Sequence, residues 1–182
     1  HAGRGGLGAV MGSKGLKAII LDPSEAEMAP LVDKEAFNEA AKRFAKALTE
    51  HAVTGKGLPT YGTDVLINII NEAGGLPTRN FRSGRFETAD KVGGETLSKI
   101  TLERKGETTQ GCMTGCIIKC SGTYLDKNGK YLSKWPEYET VWALGPNCEI
   151  DDLEAIARMD RACDDIGIDT IETGNAIAIA ME

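Results

Sequence analysis

No apolar run in this sequence approaches the roughly 20 residues that cross a bilayer; the longest, around positions 18–21 and 176–181, fall far short. No signal sequence is expected, and the expected compartment is the cytoplasm. Positive charge is not in excess: 21 Lys and Arg against 27 Asp and Glu leave a net charge of −6. The basic field on which nonspecific nucleic-acid binding depends is therefore missing. Neither a membrane nor a nucleic acid is an expected partner. There is no internal repeat or low-complexity linker, and 41% hydrophobic with 26% charged residues excludes collagen-like and disordered classes. What remains is a soluble globular chain of 182 residues, enough for one sizeable core or two small ones.

The sequence opens at His1 on a glycine cluster and closes at Glu182 within an apolar helical pattern without a cap. It is expected to be an internal piece of a longer polypeptide. HAGRGGLGAVMGSKGLK leads into AIIL at 18–21, which predicts a short buried strand. Apolar positions Ala36, Phe37, Ala40, Ala41, Phe44, Ala45 and Leu48 recur at helical spacing and predict an amphipathic helix. A second helix is predicted from Thr63 or Asp64 as N-cap to Gly74-Gly75. The loop LPTRNFRSGRFE follows, then a strand-like or irregular stretch over 97–104. TYL and KYL around DKNG predict a hairpin at 123–132. Asp151 or Asp152, and Asp169 or Thr170, can cap two final helices. The fold class is mainly α with short β-strands and a hairpin, and the stretch 23–30 is the expected boundary between a first segment, 1–30, and a helical domain, 31–182.

Cys112, Cys116 and Cys120 form C-x3-C-x3-C, a clustering of thiols that suits a soft metal or an iron–sulfur cluster. The same spacing lies along one face of a helix, where cysteine packs as a small hydrophobe, and that alternative stays open. Zinc is less suited, because no His is near and the x2 knuckle is missing. Gly3-Arg4-Gly5-Gly6-Leu7-Gly8 formally satisfies G-x-G-x-x-G without a preceding strand. A glycine-rich turn with Arg4 can bind an anion, or simply pack closely. In DDIGID, Asp164 and Asp169 flank Gly167 and Ile168 at an expected helix junction, a place for a heterocycle bearing N–H donors or for plain caps. Tyr138 and Glu139 lie in the apolar run PEYETVWALGPN, where a partly buried Glu139 would be a proton-transfer group.

GRGGLGAVMGSKGLKAI, LPTRNF, the three cysteines, PEYETVWALGPN and DDIGIDTIETG, in that order, resemble the aldehyde:ferredoxin oxidoreductase family of tungsten or molybdenum bis-pterin enzymes. The resemblance implies a helical domain like the middle domain of that family, and oxidation of aldehydes to carboxylic acids with ferredoxin as electron acceptor. It implies tungstopterin or molybdopterin, a 4Fe–4S cluster, and magnesium bridging the pterin phosphates. On it, Arg4, Gly5 and Gly6 match the pterin-phosphate motif. Asp164, Gly167, Ile168 and Asp169 match a pterin motif, with Ile168 in place of the usual Leu. Cys112, Cys116 and Cys120 match cluster ligands, although the family spacing is C-x2-C-x3-C. Glu139 matches the glutamate near the metal, with Tyr138 beside it. Residues 1–30 would close an N-terminal pterin-binding domain, and 31–182 would be the helical domain, which the rest of the parent chain completes. A different class remains: an iron–sulfur electron-transfer or binding module without pterin, using Cys148 or Cys163 as fourth ligand.

Overall fold

The computed structural model describes residues 4–27 and 29–182. Gly3, the first glycine of the G-x-G-x-x-G, lies outside the described residues. The chain divides into two compact units between Lys46 and Ala47.

In the first unit, α1 (Leu7–Ser13) follows Gly5 and Gly6, whose φ values of 80° and 72° lie in the left-handed region. That conformation, rather than crowding, accounts for glycine, since a Cβ at either position would meet nothing within 4 Å. The strand predicted at 18–21 does not form: those residues belong to no regular element and are exposed, Ile20 at 90%. A strand needs a neighbour to satisfy its backbone, and none pairs with it among the described residues. The predicted amphipathic helix is α2 (Lys34–Glu50), started by Asp33 Oδ1 accepting the Ala36 N–H at 2.9 Å. It spans the division between the units, and its apolar residues Phe37 and Phe44 are exposed.

The second unit is helical around one small hairpin. A π-helical turn (Val53–Gly57) runs into α3 (Leu58–Tyr61), and α4 (Val65–Glu72) follows Gly62. Gly62 must be glycine: its φ is 67°, and a Cβ would lie 3.0 Å from the Trp135 ring and 3.2 Å from the Cys120 carbonyl oxygen. α4 ends at Gly74, also left-handed, as predicted. The stretch 97–104, expected to be strand-like or irregular, instead lies in a helix, α5 (Gly94–Glu103), and its C-cap Arg104. Its buried positions Gly94, Leu97, Ser98 and Thr101 repeat at three and four residues, so packing of that face overrides the modest helix propensity of Thr and Ile.

β1 (Thr123–Leu125) and β2 (Tyr131–Lys134) form the predicted antiparallel hairpin. Its turn is held by Asp126 Oδ1, which accepts the N–H groups of Asn128 and Lys130 at 2.8 and 2.9 Å. α6 (Tyr138–Leu144), α7 (Leu153–Ile166) and α8 (Thr170–Met181) complete the unit. Asp152 caps α7 and Asp169 caps α8, both through side-chain oxygens. The core gathers Ile67, Leu97, Tyr124, Val141, Leu144 and Ile156 from α4, α5, the hairpin, α6 and α7, with Leu76 from the loop after α4. The architecture is mainly helical with one short hairpin, as the sequence implied.

Candidate functional site

The candidate side chains sit in loops and near helix ends, where free backbone groups and close turns are available. The cysteine loop is closed by mutual hydrogen bonds between the backbones of Gln110 and Ser121. It is not helical, so the three cysteines do not form a helix face. Cys112 is exposed, while Cys116 and Cys120 are half-buried. Cys116 Sγ accepts the Lys119 N–H at 3.4 Å. That amide, with smaller contributions from Ile118 and Cys112, pulls the Cys116 thiol below its ordinary range and favours the thiolate. Burial acts oppositely on Cys120, reinforced by the Glu137 carboxylate.

Among the described residues, no three His, Cys, Asp or Glu side chains gather as ligands for a single metal ion. A cubane cluster asks for something different, one thiolate at each of several irons. A closed loop with three thiols, one already drawn toward its ionised form by amides, fits that donor set. Cys148 and Cys163 do not belong to it. Both are buried, Cys148 donates from Sγ to the carbonyls of Ala143 and Gly174 at 3.4 Å, and burial raises both thiols.

The start of α6 is built by a residue far away in sequence. Thr63 Oγ1 accepts the Tyr138 N–H at 2.9 Å and donates to Glu137 Oε2 at 2.7 Å. Thr63 thus caps α6 from outside, since Glu137, the residue at its N-cap, makes no cap bond with its own side chain. Tyr138 is half-buried and Glu139 is exposed. The expectation of a partly buried Glu139 is therefore not met: it occupies the solvent side of the first turn, where its negative charge suits the helix N-terminus.

The acids withdrawn from water are Asp64 and, in part, Asp160. Asp64 is 1% exposed, and neither carboxyl oxygen has a hydrogen-bond partner. Burial, then the charges of Glu137, Glu139 and Asp160, hold its carboxyl well above the usual range. Asp160, on α7, is raised to about 6 by burial first, then by Asp164 and Glu137. Glu137 is exposed as a residue, and partial desolvation of its carboxyl raises it, against the bond from Thr63. The sequence offered Asp64 only as a helix cap, and it caps nothing. Asp160 was legible only as the residue one helical turn before Asp164.

At the junction of α7 and α8, Gly167 has a φ of 83°, and the N–H groups of Gly167 and Ile168 both reach the Cys163 carbonyl. This closes α7 as a left-handed C-cap. Asp164 and Ile168 are left exposed, and Asp169 Oδ2 accepts the Glu172 N–H at 2.9 Å. Gly62 lies beside the Cys120 carbonyl, its neighbour Thr63 bonds Glu137 and the Tyr138 N–H at the start of α6, and α6 packs on α7. The cysteine loop, the first turn of α6 and the end of α7 thus share one region. Arg4, Gly5 and Gly6 stand in the other compact unit.

The LPTRNF segment supports α6 from behind. Arg79, Asn80 and Phe81 are three successive residues with φ between 50° and 61°, a strained run for side chains that carry a Cβ. The strain is held by hydrogen bonds from the Arg79 and Asn80 N–H groups to the carbonyls of Pro146 and Asn147. Phe81 meets Trp142 of α6 edge to face, with ring centroids 5.9 Å apart.

Residues 39–182 match the family model described as aldehyde ferredoxin oxidoreductase, domains 2 and 3. Over 181 residues the chain is 44% identical to a tungsten-containing aldehyde ferredoxin oxidoreductase of Thermococcus kodakarensis, covering all of this chain and 29% of that protein. It is 43% identical to the protein of the same description from Pyrococcus furiosus, again over all of this chain and 29% of the relative. A more distant relative, 29% identical over 100% of this chain and 28% of its own length, is the WOR-like subunit of an aliphatic sulfonate oxidoreductase from Pyrococcus furiosus. The chain spans under a third of the length of these curated relatives. On the extent of the family match and the identity to these relatives, the chain belongs to the aldehyde ferredoxin oxidoreductase family.

Proposed function

We propose that the whole protein oxidises aldehydes to carboxylic acids in the cytoplasm, with ferredoxin as electron acceptor. In this reading Cys112, Cys116 and Cys120 hold a 4Fe–4S cluster. Asp164, Gly167, Ile168 and Asp169 accept N–H groups of a pterin or pack against it, while Arg4, Gly5 and Gly6 hold pterin phosphates and their magnesium. Residues 1–30 complete a pterin-binding domain, and 31–182 form the helical domain beside it. When bound, tungstopterin or molybdopterin and the cluster supply two-electron oxidation and one-electron transfer. The chain's own contribution is to position and to move protons: Tyr138 orients the substrate, and Glu139 exchanges a proton at the reacting oxygen.

The observation that carries this reading is the shared region in which Gly62, beside the Cys120 carbonyl, and Thr63, which caps α6, bring the cysteine loop to the start of α6, on which α7 packs.

The test is metal and pterin analysis of the full-length protein, with aldehyde-dependent reduction of ferredoxin. Tungsten or molybdenum, pterin and turnover are expected; iron and sulfide without pterin would replace the reading by an electron-transfer module. Glu139→Gln should then lower turnover by ~10²–10⁴-fold with cofactors retained, the usual range for lost acid–base assistance. Arg4→Ala should instead lower pterin content.

A further inference from the structure

The short segment 59–63, which ends α3 and turns toward α4, is tied to two parts of the candidate site at once. The Gly62 N–H closes α3 on the Leu58 carbonyl at 2.9 Å, and Gly62, with φ 67° and ψ −167°, then redirects the chain. The cysteine loop is held to this segment at both of its ends. Thr109, just before the loop, donates from Oγ1 to the Pro59 carbonyl at 3.1 Å, and the Cys120 carbonyl oxygen would be only 3.2 Å from a Cβ at Gly62. Gly62 and Gly122 both lie against the buried Trp135 indole, where their Cβ atoms would come within 3.0 and 2.5 Å. That ring is itself fixed, since Nε1 donates to Thr101 Oγ1 at 2.8 Å.

Thr63, the next residue, reaches α6 instead. Its hydroxyl has one proton to give and lone pairs with which to accept. The proton goes to Glu137 Oε2 at 2.7 Å, which leaves a lone pair for the Tyr138 N–H at 2.9 Å. The backbone held in this way carries Tyr138 and, one position on, Glu139, both in the first turn of α6. Adjacent residues thus hold the exit of the cysteine loop and the start of the helix that bears the proposed proton-transfer group.

We propose that Gly62 and Thr63 are positioning residues for the oxidation, fixing the cysteine loop and the first turn of α6 relative to one another, Gly62 by its contact with the loop and Thr63 by its bonds to the helix. The proposal rests on the aldehyde-oxidising reading above, in which the loop holds the cluster that passes electrons on and α6 presents Tyr138 and Glu139. Neither residue touches reacting atoms. Each acts through a backbone group, the Cys120 carbonyl or the Tyr138 N–H, and a displaced backbone carries its functional side chains with it. A displacement of about an ångström costs up to roughly a hundredfold in rate. The two contacts are distinct and should fail separately. Without the Thr63 hydroxyl the helix start is released while Gly62, Thr109 and Trp135 still hold the loop. Without the Thr109 hydroxyl the loop loses one tie while both Thr63 bonds remain.

The experiment uses the full-length holoenzyme and three readouts: backbone hydrogen exchange, the electron paramagnetic resonance spectrum of the dithionite-reduced cluster, and kcat with aldehyde and ferredoxin. Thr63→Val should speed exchange at the start of α6 and lower kcat on the order of tenfold, with KM and the cluster spectrum unchanged. Thr63→Ser should restore kcat. Gly62→Ala and the milder Thr109→Val should speed exchange over 110–121 and alter the cluster spectrum, and Thr109→Val carries this arm if Gly62→Ala does not fold. Thr96→Val, on α5, removes a hydroxyl bond to the Asp90 carbonyl of 2.6 Å and controls for lost stability alone; its kcat and cluster spectrum should match wild type. Wild-type kcat in Thr63→Val, an unaltered cluster spectrum in both loop variants, or the same kcat loss in Thr96→Val would overturn the positioning role. A wild-type protein that oxidises no aldehyde, while its variants show these exchange differences, would overturn the functional reading and leave 59–63 as the joint between loop and helix.

Discussion

Thr63 and Glu137 lie 74 positions apart and meet through a 2.7 Å hydrogen bond in which the threonine hydroxyl donates to the carboxylate. The same hydroxyl accepts the first free N–H of α6 at Tyr138, so one side chain ties the turn before α4 to the start of α6. Thr63→Val keeps the shape and removes both bonds. It should destabilise the protein by about 1 kcal/mol, the usual value of an N-cap, and Thr63→Ser should recover most of it. Chemical denaturation of both variants measures this. Equal midpoints for wild type and Thr63→Val would mean that Glu137 and Tyr138 find other partners.

Asp160 gives a pH signature in stability. Its carboxyl is raised to about 6 from an ordinary 3.8, so the folded state holds a proton that the unfolded state releases as pH rises through its ordinary value. The folded state is therefore penalised progressively between about pH 4 and pH 6, and the penalty is complete above that window. Asp160→Asn removes it. The variant should match wild type near pH 3 and exceed it at pH 7 by about 1–2 kcal/mol, less than the full shift implies because the carboxyl is partly exposed. Denaturant midpoints at the two pH values decide it, and a gain of equal size at both would assign the effect to packing.

Much of the fold was legible because periodic apolar positions and caps act locally. α2, α4, α7, α8 and the hairpin begin and end near the residues whose chemistry demands it, as with Asp152, Asp169, Gly74 and Gly129. The failures are tertiary. The 18–21 strand had apolar residues but no pairing partner among the described residues, and α5 was hidden behind Thr and Ile, whose propensity yields to burial. In the candidate site, the motif residues were legible and the acids around them were not. Asp64 follows a threonine at a helix start, where sequence pattern favours a cap, yet its carboxyl points into the protein interior. Glu137 lies within the motif PEYETVWALGPN, but its bond to Thr63, like the partial burial of Asp160 on α7, arises only from tertiary packing.

The five cysteines should separate by reactivity in the absence of bound metal. Thiolate attacks alkylating reagents, so a thiol drawn down by amides reacts faster than one raised by burial. Cys116 accepts the Lys119 N–H and is lowered, whereas Cys148 and Cys163 are buried and raised. Brief iodoacetamide treatment at neutral pH, read by peptide mass spectrometry, should label Cys116 well before Cys148 and Cys163. Labelling of Cys148 at the same rate would mean that the interface of α6 and α8 opens readily. The same treatment of metal-loaded full-length protein should protect Cys116 if it is a cluster ligand.

Gly174 tests how closely α8 must approach α6. Its backbone is in ordinary helical conformation, so its requirement for glycine comes from space and not from φ. A Cβ at that position would lie 2.4 Å from the Ala143 carbonyl oxygen and 2.9 Å from the Ala143 Cβ. Backbone atoms cannot turn aside as a flexible side chain can, so Gly174→Ala must push the helices apart, disturbing Cys148, which donates to the Ala143 and Gly174 carbonyls. Alanine's better helix propensity offsets up to about 1 kcal/mol, against roughly 1–3 kcal/mol for overpacking. The net effect should be a loss of stability of about 1–2 kcal/mol, with faster alkylation of Cys148. Gly129→Ala at the hairpin turn, where a Cβ would meet nothing but φ is 75°, should also destabilise through backbone strain, without any change at Cys148. A stabilised Gly174→Ala with Cys148 still protected would show that α6 and α8 have room to spare.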